Sequence, residues 1–136
     1  MTAAGEVVIR VRYAETDRMG LLHHANYLVY FELARTELLR SLGLTYKDME
    51  DQGFLLVVTK VEVRFRRPAR YDDLLTIRTT VVKTTMVRID HHYEVLCDGQ
   101  LLAEGSSTLA CVDRSGRPQV LPEFLRERKG EGTPPA

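Results

Sequence analysis

The apolar residues of this chain change their spacing once, and that change limits the possible folds more than any other feature. Between residues 27 and 42 they recur every three or four positions, which is the spacing of an amphipathic helix of about four or five turns. The residues concerned are Tyr27, Phe31, Ala34, Leu38 and Leu42. From residue 57 onward, apolar and polar residues alternate instead, which is typical of half-buried strands. One long helix followed by strands needs a sheet that covers the helix, so we expect an α+β fold.

Five strands are predicted, one before the helix and four after it. They span residues 6–13, 57–66, 75–81, 87–95 and 101–112. Enrichment in β-branched residues indicates the first strand, and Asp98-Gly99 predicts a tight turn that joins the last two as a hairpin. We therefore expect one antiparallel sheet. In the strand over 57–66, strict alternation predicts one apolar face, which consists of Val57, Thr59, Val61, Val63 and Phe65.

Short polar and glycine signals divide the region between the helix and the second strand. Gly43 is a typical C-terminal stop for the long helix. Thr45 and Asp48 have the spacing of a capping box, which predicts a short second helix that ends at Gly53. With 136 residues and no internal repeat, residues 1–128 are expected to form a single domain. The Gly/Pro-rich residues 129–136 are expected to form a flexible tail.

Charge and composition narrow the classes of partner. Lys plus Arg and Asp plus Glu both number 19, so no overall field attracts nucleic acid or an anionic membrane. The sequence begins without a signal-peptide pattern, and the apolar run over 54–58 is too short to span a bilayer, so we expect a cytoplasmic protein without membrane insertion. Cys97 and Cys111 form no CxxC pair and are expected to be reduced thiols.

The sequence contains little evidence for a metal site or for a Gly-rich phosphate-binding loop. His91 and His92 are neighbours on a predicted strand, so their side chains point to opposite faces and cannot hold one ion. No other metal-ligand pattern and no Gly-rich phosphate loop occurs. We therefore expect no metal and no cofactor.

A carboxylate in front of the long helix suggests acyl-transfer chemistry. Asp17 lies in a loop just before the helix, whose first N–H groups and positive dipole end suit a carbonyl that develops negative charge. Such a carboxylate either attacks a thioester carbonyl or deprotonates water. The alternative is an aspartate that only bonds its own backbone in a turn ahead of Gly20, and spacing alone favours this alternative.

The residues around Asp17 carry a family resemblance that favours the chemical role. The positions concerned are Tyr13, Thr16, Asp17, Gly20, His24, Ala25, Tyr27, Glu32 and residues 34–37, with weaker matches at 65–69 and 72–75. The pattern resembles hot-dog-fold thioesterases of the 4-hydroxybenzoyl-CoA thioesterase group, and is most similar to the short-chain acyl-CoA thioesterases encoded beside bacterial Tol-Pal genes. The resemblance covers nearly the whole chain. It implies a long central helix wrapped by the sheet, hydrolysis of an acyl-CoA thioester to acid and coenzyme A, and a catalytic role for Asp17.

Two further residues are candidates for the reaction. At the start of the helix, His24 could supply its backbone N–H as oxyanion donor and its imidazole as a polarising or proton-carrying group. The alternative is that His24 is only a polar residue at the surface, as expected for His23, and the resemblance selects His24 over His23. Tyr13 is a third catalytic candidate through a hydrogen bond to Asp17 or to the acyl oxygen. The alternative for Tyr13 is a tyrosine at a strand end that fills the core.

Six residues are candidates for binding the substrate and its coenzyme A. Basic side chains can bond phosphates, although such residues also form the solvated face of a strand. The turn after the third strand corresponds in position to one that contacts the nucleotide in relatives. The candidates are Lys60, Arg66, Arg67, Lys83, Thr84 and Thr85.

Two other functions and an assembly state follow from the same fold. A hydratase or dehydratase on acyl thioesters is one alternative, and a non-catalytic acyl-thioester-binding protein is the other. The hydratase signature has its Asp and His closer together, with Asn-Pro between them, than Asp17 and His24 are here. A single five-stranded sheet leaves an edge strand and one face to cover, and relatives pair, so we expect a homo-oligomer, either a dimer or a tetramer.

Overall fold

A computed structural model describes residues 3–126 of the protein. The strands are β1 (Ala4–Arg10), β2 (Leu55–Phe65), β3 (Leu74–Thr84), β4 (Arg88–Cys97) and β5 (Gln100–Val112), and the helices are α1 (Ala25–Ser41) and α2 (Tyr46–Asp51). The tail predicted at 129–136 and the last two residues of the predicted domain lie outside the described residues.

All five strands form one antiparallel sheet in the order β1-β3-β4-β5-β2. The hairpin between β4 and β5 turns at the predicted dipeptide, where Asp98 and Gly99 have φ angles of 51° and 79°. Positive φ at both positions is the geometry of a two-residue hairpin turn. The α+β prediction of one long helix against an antiparallel sheet of about five strands is therefore confirmed.

Helix α1 packs on the inner face of the sheet through an aromatic contact. The ring of Phe31 stacks on Tyr93 with centroids 4.2 Å apart and an interplanar angle of 7°. Directly beneath lies Gly105, where an added Cβ would come within 2.6 Å of Phe31 Cε2 and of the Glu62 carbonyl oxygen. Glycine at position 105 therefore permits the helix to come this close.

Two hydrophobic clusters fill the space between α1 and the sheet. The first contains the aromatic residues of α1 together with Leu75 and Ile77, and the second joins the C-terminal end of α1 to Met49 of α2. Thr45 caps α2, since its hydroxyl accepts a 3.0 Å bond from Asp48 N, as the sequence predicted.

The start of the chain differs from the prediction. Strand β1 ends at Arg10, and residues Tyr13–Glu15 form a short 3₁₀ turn instead of extending the strand to residue 13. The side chain of Tyr13 is 79% exposed and contacts Tyr71 edge-on. The alternative of Tyr13 as a core-filling residue is therefore wrong, because the turn directs its ring away from the interior.

Strand β2 differs from the strict alternation expected for it. A β-bulge at Thr59 interrupts its pairing with β5, so Val58 lies opposite Leu109 and Val61 lies opposite Ser107. An extra residue reverses which side chains face inward. Val58 and Val61 therefore share the inner face, and the prediction that Val57 and Thr59 lie on that face is wrong.

Two further findings concern thiols and membranes. Cys111 is buried and Cys97 is half-buried, and both are free thiols, as predicted. None of the helices in residues 3–126 has the length and apolar character needed to cross a bilayer.

A buried histidine gives the fold a testable pH dependence. His91 is 4% exposed and its Nδ1 has no hydrogen-bond partner within residues 3–126. Burial, together with the charge of Arg35, lowers the pKa of His91 from 6.5 to about 4, and the charge of Asp90 opposes this shift only in part. Between about pH 4 and pH 6.5, the His91 side chain is therefore neutral in the folded protein, whereas the same side chain is protonated in the unfolded chain.

We expect the free energy of unfolding to be highest above pH 6.5 and to fall as the pH drops toward 4. His91 should account for a loss of about 3 kcal/mol over that interval. Urea unfolding of the His91→Gln variant should show a flatter pH dependence than wild type. The matched control is His92→Gln, on the opposite face of the same strand, which should keep the wild-type slope. Equal slopes for all three proteins would contradict the assignment.

Candidate active site

The loop between β1 and α1 is pinned from two sides. Asp17 N donates to Leu21 O at 2.8 Å, which folds the loop back on itself. Leu22 N donates to Ala69 O at 2.8 Å, which ties the loop to the segment that follows β2. Gly20 closes the turn with a φ angle of 79°, a conformation that glycine adopts without strain. The loop therefore has a fixed position relative to the start of α1.

The Asp17 carboxylate has one bonded oxygen and one open oxygen. Its Oδ1 accepts bonds from Met19 N at 2.8 Å and from Leu21 N at 3.1 Å. Its Oδ2 has no hydrogen-bond partner among residues 3–126. Asp17 is therefore a turn aspartate, as the alternative hypothesis expected, and its second oxygen is not engaged by that turn.

The first turn of α1 offers a backbone donor beside this carboxylate. His24 occupies the N-cap position of α1, and its N–H donates to no acceptor within residues 3–126. The next N–H, of Ala25, donates to Nδ1 of His23 at 3.2 Å. His23 thus caps the helix with its side chain, a structural role that the sequence did not indicate, and its ring stacks on that of His24 at 4.3 Å. The His24 N–H remains available to a ligand.

A cleft of about 330 Å³ brings these groups together. One wall is the Asp17 loop with the N-terminal turn of α1, and the other is the end of β2 with the residues that follow it. The lining residues are Asp17, Leu21, Leu22, His24, Tyr27, Phe65, Arg66, Arg67 and Pro68. Tyr27 and Phe65 meet edge to face across the walls, with ring centroids 5.0 Å apart. The cleft is therefore apolar between the walls and basic at one rim.

The two adjacent arginines in this cleft differ in their partners. Arg66 Nη2 bonds Glu104 Oε1 at 2.6 Å, and this contact holds the pKa of Glu104 below its usual range. The Arg67 side chain is exposed and has no hydrogen bond or ion pair with any of residues 3–126. Arg67 is thus the cleft arginine whose guanidinium is available to an anion.

The other predicted site residues lie outside this cleft. Lys60 pairs with Glu62 at 3.2 Å, and Tyr13 is exposed beside Tyr71. Thr85 Oγ1 accepts bonds from Val87 N and Arg88 N in the turn between β3 and β4. The two residues before it, Lys83 and Thr84, belong to the end of β3. The structure therefore unites four of the nine predicted site residues in one cleft: Asp17, His24, Arg66 and Arg67.

Sequence reasoning missed Glu15, a buried acid that contacts both ends of the Asp17 loop. Glu15 is 7% exposed and bonds Arg12 and the hydroxyl of Tyr30. The only sequence signal was the spacing of Arg12 and Glu15, three residues apart, because Tyr30 is distant in sequence. Within residues 3–126 no group of three or more His, Cys, Asp or Glu side chains is arranged to hold a metal ion.

Comparison with known families identifies the chain. The family profile described as "Thioesterase-like superfamily" matches residues 11–128, which includes the whole cleft. The chain belongs to the thioesterase-like superfamily. Its members with similar sequences include the acyl-CoA thioester hydrolase YbgC of Escherichia coli, 32% identical over 119 residues, or 86% of this chain and 89% of that protein. The acyl-CoA thioesterase YbgC of Haemophilus influenzae is 35% identical over 106 residues, or 77% of this chain and 78% of that protein.

Solved structures of proteins with similar sequences share the fold. The DHNA-CoA thioesterase of Staphylococcus aureus superposes with a TM-score of 0.86 at 31% identity, covering 96% of both chains. A hypothetical protein from Aquifex aeolicus gives a TM-score of 0.87 at 29% identity, over 92% of this chain and 98% of that chain. The hot-dog fold expected from the sequence is thus confirmed.

Proposed function

We propose that this protein is an acyl-CoA thioesterase, which hydrolyses an acyl-CoA thioester to a free acid and coenzyme A. The observation that carries the proposal is that one cleft is lined by both Asp17, whose Oδ2 has no hydrogen bond, and His24, whose N–H has no acceptor within residues 3–126. Relatives that are named acyl-CoA thioesterases and thioester hydrolases support the same activity.

Asp17 supplies the carboxylate that starts the reaction. Its Oδ2 either attacks the thioester carbon, forming a mixed anhydride that water then cleaves, or takes a proton from the attacking water. The two N–H groups on Oδ1 hold the carboxylate in one orientation during either route. Both routes release the coenzyme A thiolate and place negative charge on the carbonyl oxygen.

The N-terminus of α1 stabilises that charge. The His24 N–H donates to the developing oxyanion, and the positive end of the helix dipole acts in the same direction. The His24 imidazole polarises the carbonyl or carries a proton in a secondary role. Tyr13, exposed on the outer side of the loop, has a supporting role at most through contact with the bound thioester.

The other residues of the cleft would contact either the acyl group or the coenzyme A of the substrate. Leu22, Tyr27 and Phe65 form an apolar surface for the acyl group, and Arg67 bonds a phosphate of coenzyme A. Arg66 has a smaller role because Glu104 already holds its guanidinium. Lys60, Lys83, Thr84 and Thr85 lie away from the cleft of their own chain, so their proposed contact with coenzyme A requires a second copy.

A homodimer through β2 would bring that second copy to the cleft. Strand β2 is an edge of the sheet, and although its Phe65 contacts Tyr27 of α1, part of its inner side remains exposed. Val58, Val61 and Phe65 on that side are 48%, 38% and 53% exposed. A long apolar edge strand is normally covered, and isologous pairing of two copies covers it symmetrically. Association of two dimers into a tetramer is compatible with this pairing.

The proposed enzyme acts in the cytoplasm and needs no metal or cofactor. The free thiols of Cys97 and Cys111 suit a reducing compartment. Asp17 and the backbone of α1 supply the carboxylate and the oxyanion donor, so each group that the proposed reaction needs comes from the chain itself.

We expect Asp17→Asn to lower kcat for acyl-CoA hydrolysis by at least a hundredfold while leaving the fold intact. The amide oxygen of asparagine can still accept the bonds from Met19 N and Leu21 N, so the substitution removes the reactive oxygen and preserves the loop. Release of free thiol from a panel of acyl-CoAs measures the effect. Asp51→Asn, at an exposed carboxylate on α2, is the control and should retain full activity.

A residual kcat above about a tenth of wild type in Asp17→Asn would show that Asp17 is only structural.

His24→Ala should lower kcat less than Asp17→Asn does, since the backbone N–H survives the substitution. Wild-type protein that binds acyl-CoA without releasing thiol would support the binding-protein alternative, and addition of water to an enoyl thioester would support the hydratase.

We expect Arg67→Ala to raise KM for acyl-CoA by about tenfold with little change in kcat, because one charge-assisted phosphate bond is lost. Arg66→Ala is the matched control and should change KM less. The same acyl group on N-acetylcysteamine carries no phosphates, so wild type and Arg67→Ala should hydrolyse it equally. A KM effect that persists with this small thioester would place Arg67 at the acyl end instead.

We expect light scattering to show at least a dimer for wild type and a monomer with reduced activity for Val61→Glu, because the new charge lies in the proposed interface. Val8→Glu is the matched control, since Val8 is 61% exposed on the opposite edge strand β1. This variant should assemble normally. A fully active wild-type monomer at assay concentration would overturn the proposed assembly.

A further inference from the structure

Glu15 is a buried carboxylate with bonds on both oxygens. Oε1 accepts from Arg12 N and from the Tyr30 hydroxyl, both at 2.8 Å, and Oε2 accepts from Arg12 Nη2 at 3.1 Å. Burial raises the pKa of Glu15, but the bonds from Arg12 and Tyr30 outweigh this effect and hold the pKa below its ordinary value. The side chain is therefore ionised, and the bonds to it are charge-assisted.

The backbone of Glu15 connects the same residue to the start of α1. Its carbonyl oxygen accepts bonds from His23 N and from Asn26 Nδ2, both at 2.9 Å. Glu15 lies two residues before Asp17, and His23 immediately precedes His24. One residue thus contacts the chain on both sides of the cleft wall that holds the proposed carboxylate and oxyanion donor.

A buried ionised group is an inefficient way to stabilise a fold. Removing a carboxylate from water is unfavourable, and apolar residues of similar volume often give equal or greater stability. The hydrogen bonds of Glu15 instead fix the relative positions of the groups that they join, because each bond has a preferred direction. A reaction between a positioned carboxylate and a bound carbonyl depends on such geometry, and a displacement of about 1 Å can cost a hundredfold in rate.

We propose that Glu15 is a positioning residue, whose carboxylate, held by Arg12 and Tyr30, sets the separation between the Asp17 carboxylate and the N-terminus of α1. Glu15 contacts neither the substrate nor the reacting atoms. The inference rests on the proposed thioesterase function for its kinetic consequences, whereas its structural consequence can be measured without any substrate.

Glu15→Gln and Tyr30→Phe are the informative variants, and Met49→Ala is their matched control. Glutamine keeps an oxygen for Arg12 N but loses the charge, and phenylalanine removes only the hydroxyl that reaches Glu15. Met49 is a buried core residue in the cluster around the far end of α1, so its truncation lowers stability without touching the loop. Each variant is assayed well below its melting temperature, where the protein is folded.

The kinetic measurement separates kcat from KM. Glu15→Gln should lower kcat about tenfold or more with KM within about twofold of wild type, Tyr30→Phe should give a smaller loss, and Met49→Ala should change neither. Glu15→Ala should lose more than Glu15→Gln. Unchanged kcat in both Glu15→Gln and Tyr30→Phe, in an active wild-type background, would overturn the positioning role and leave the thioesterase proposal intact.

Amide hydrogen exchange provides the second measurement and needs no activity. The N–H groups of Met19 and Leu21 bond the Asp17 carboxylate, so their exchange reports how firmly the carboxylate is held. Both should exchange about tenfold faster in Glu15→Gln than in Met49→Ala. Equal exchange in the two variants would overturn the proposal even if wild type hydrolysed no acyl-CoA, an outcome that would separately overturn the proposed function.

Discussion

The close approach of α1 to the sheet is the contact on which the rest of the structure depends. Because position 105 has no Cβ, the ring of Phe31 lies against the backbone of the sheet and stacks on Tyr93. This contact sets the height of the helix above the strands. The N-terminal turn of the helix, with His24, then meets the loop of Asp17 at a fixed distance from the end of β2, and the cleft exists in the space that remains.

The spacing of apolar residues predicted the helices and strands well, because apolar residues recur at the positions of each helix or strand that face the core. The periodicity could not predict the register of β2. Residues 55–58 are all apolar, so the local sequence does not show that a bulge at Thr59 places Val58 on the inner face instead of Val57. The site followed the same rule. The resemblance selected Asp17 and His24, and the structure places both in the lining of one cleft. The difference between Arg66 and Arg67 depends on Glu104, which lies 38 residues from Arg66 in sequence.

At Asp17, the observed structural role does not exclude the chemical role that we propose for it. The bonds of Oδ1 to the turn are the ones expected of an ordinary loop aspartate, and they also immobilise the carboxylate whose Oδ2 stays open. Glu15 has the complementary arrangement, with both oxygens bonded and none available for reaction. The two acids are separated by a single residue, and we propose different roles for them because one oxygen of Asp17 but neither oxygen of Glu15 is left without a hydrogen bond.

The two walls of the cleft are joined at Ala69, but the side chain of Phe65 takes no part in that link. The Asp17 loop is held by Glu15, by Ala69 and by the start of α1, whereas Phe65 is the last residue of an edge strand and bonds none of these groups through its side chain. A larger or smaller residue at position 65 alters the room beside Tyr27 while every hydrogen bond around Asp17 is preserved. In the proposed enzyme, position 65 could therefore change the room for an acyl group during evolution while the bonds that hold the Asp17 carboxylate are conserved.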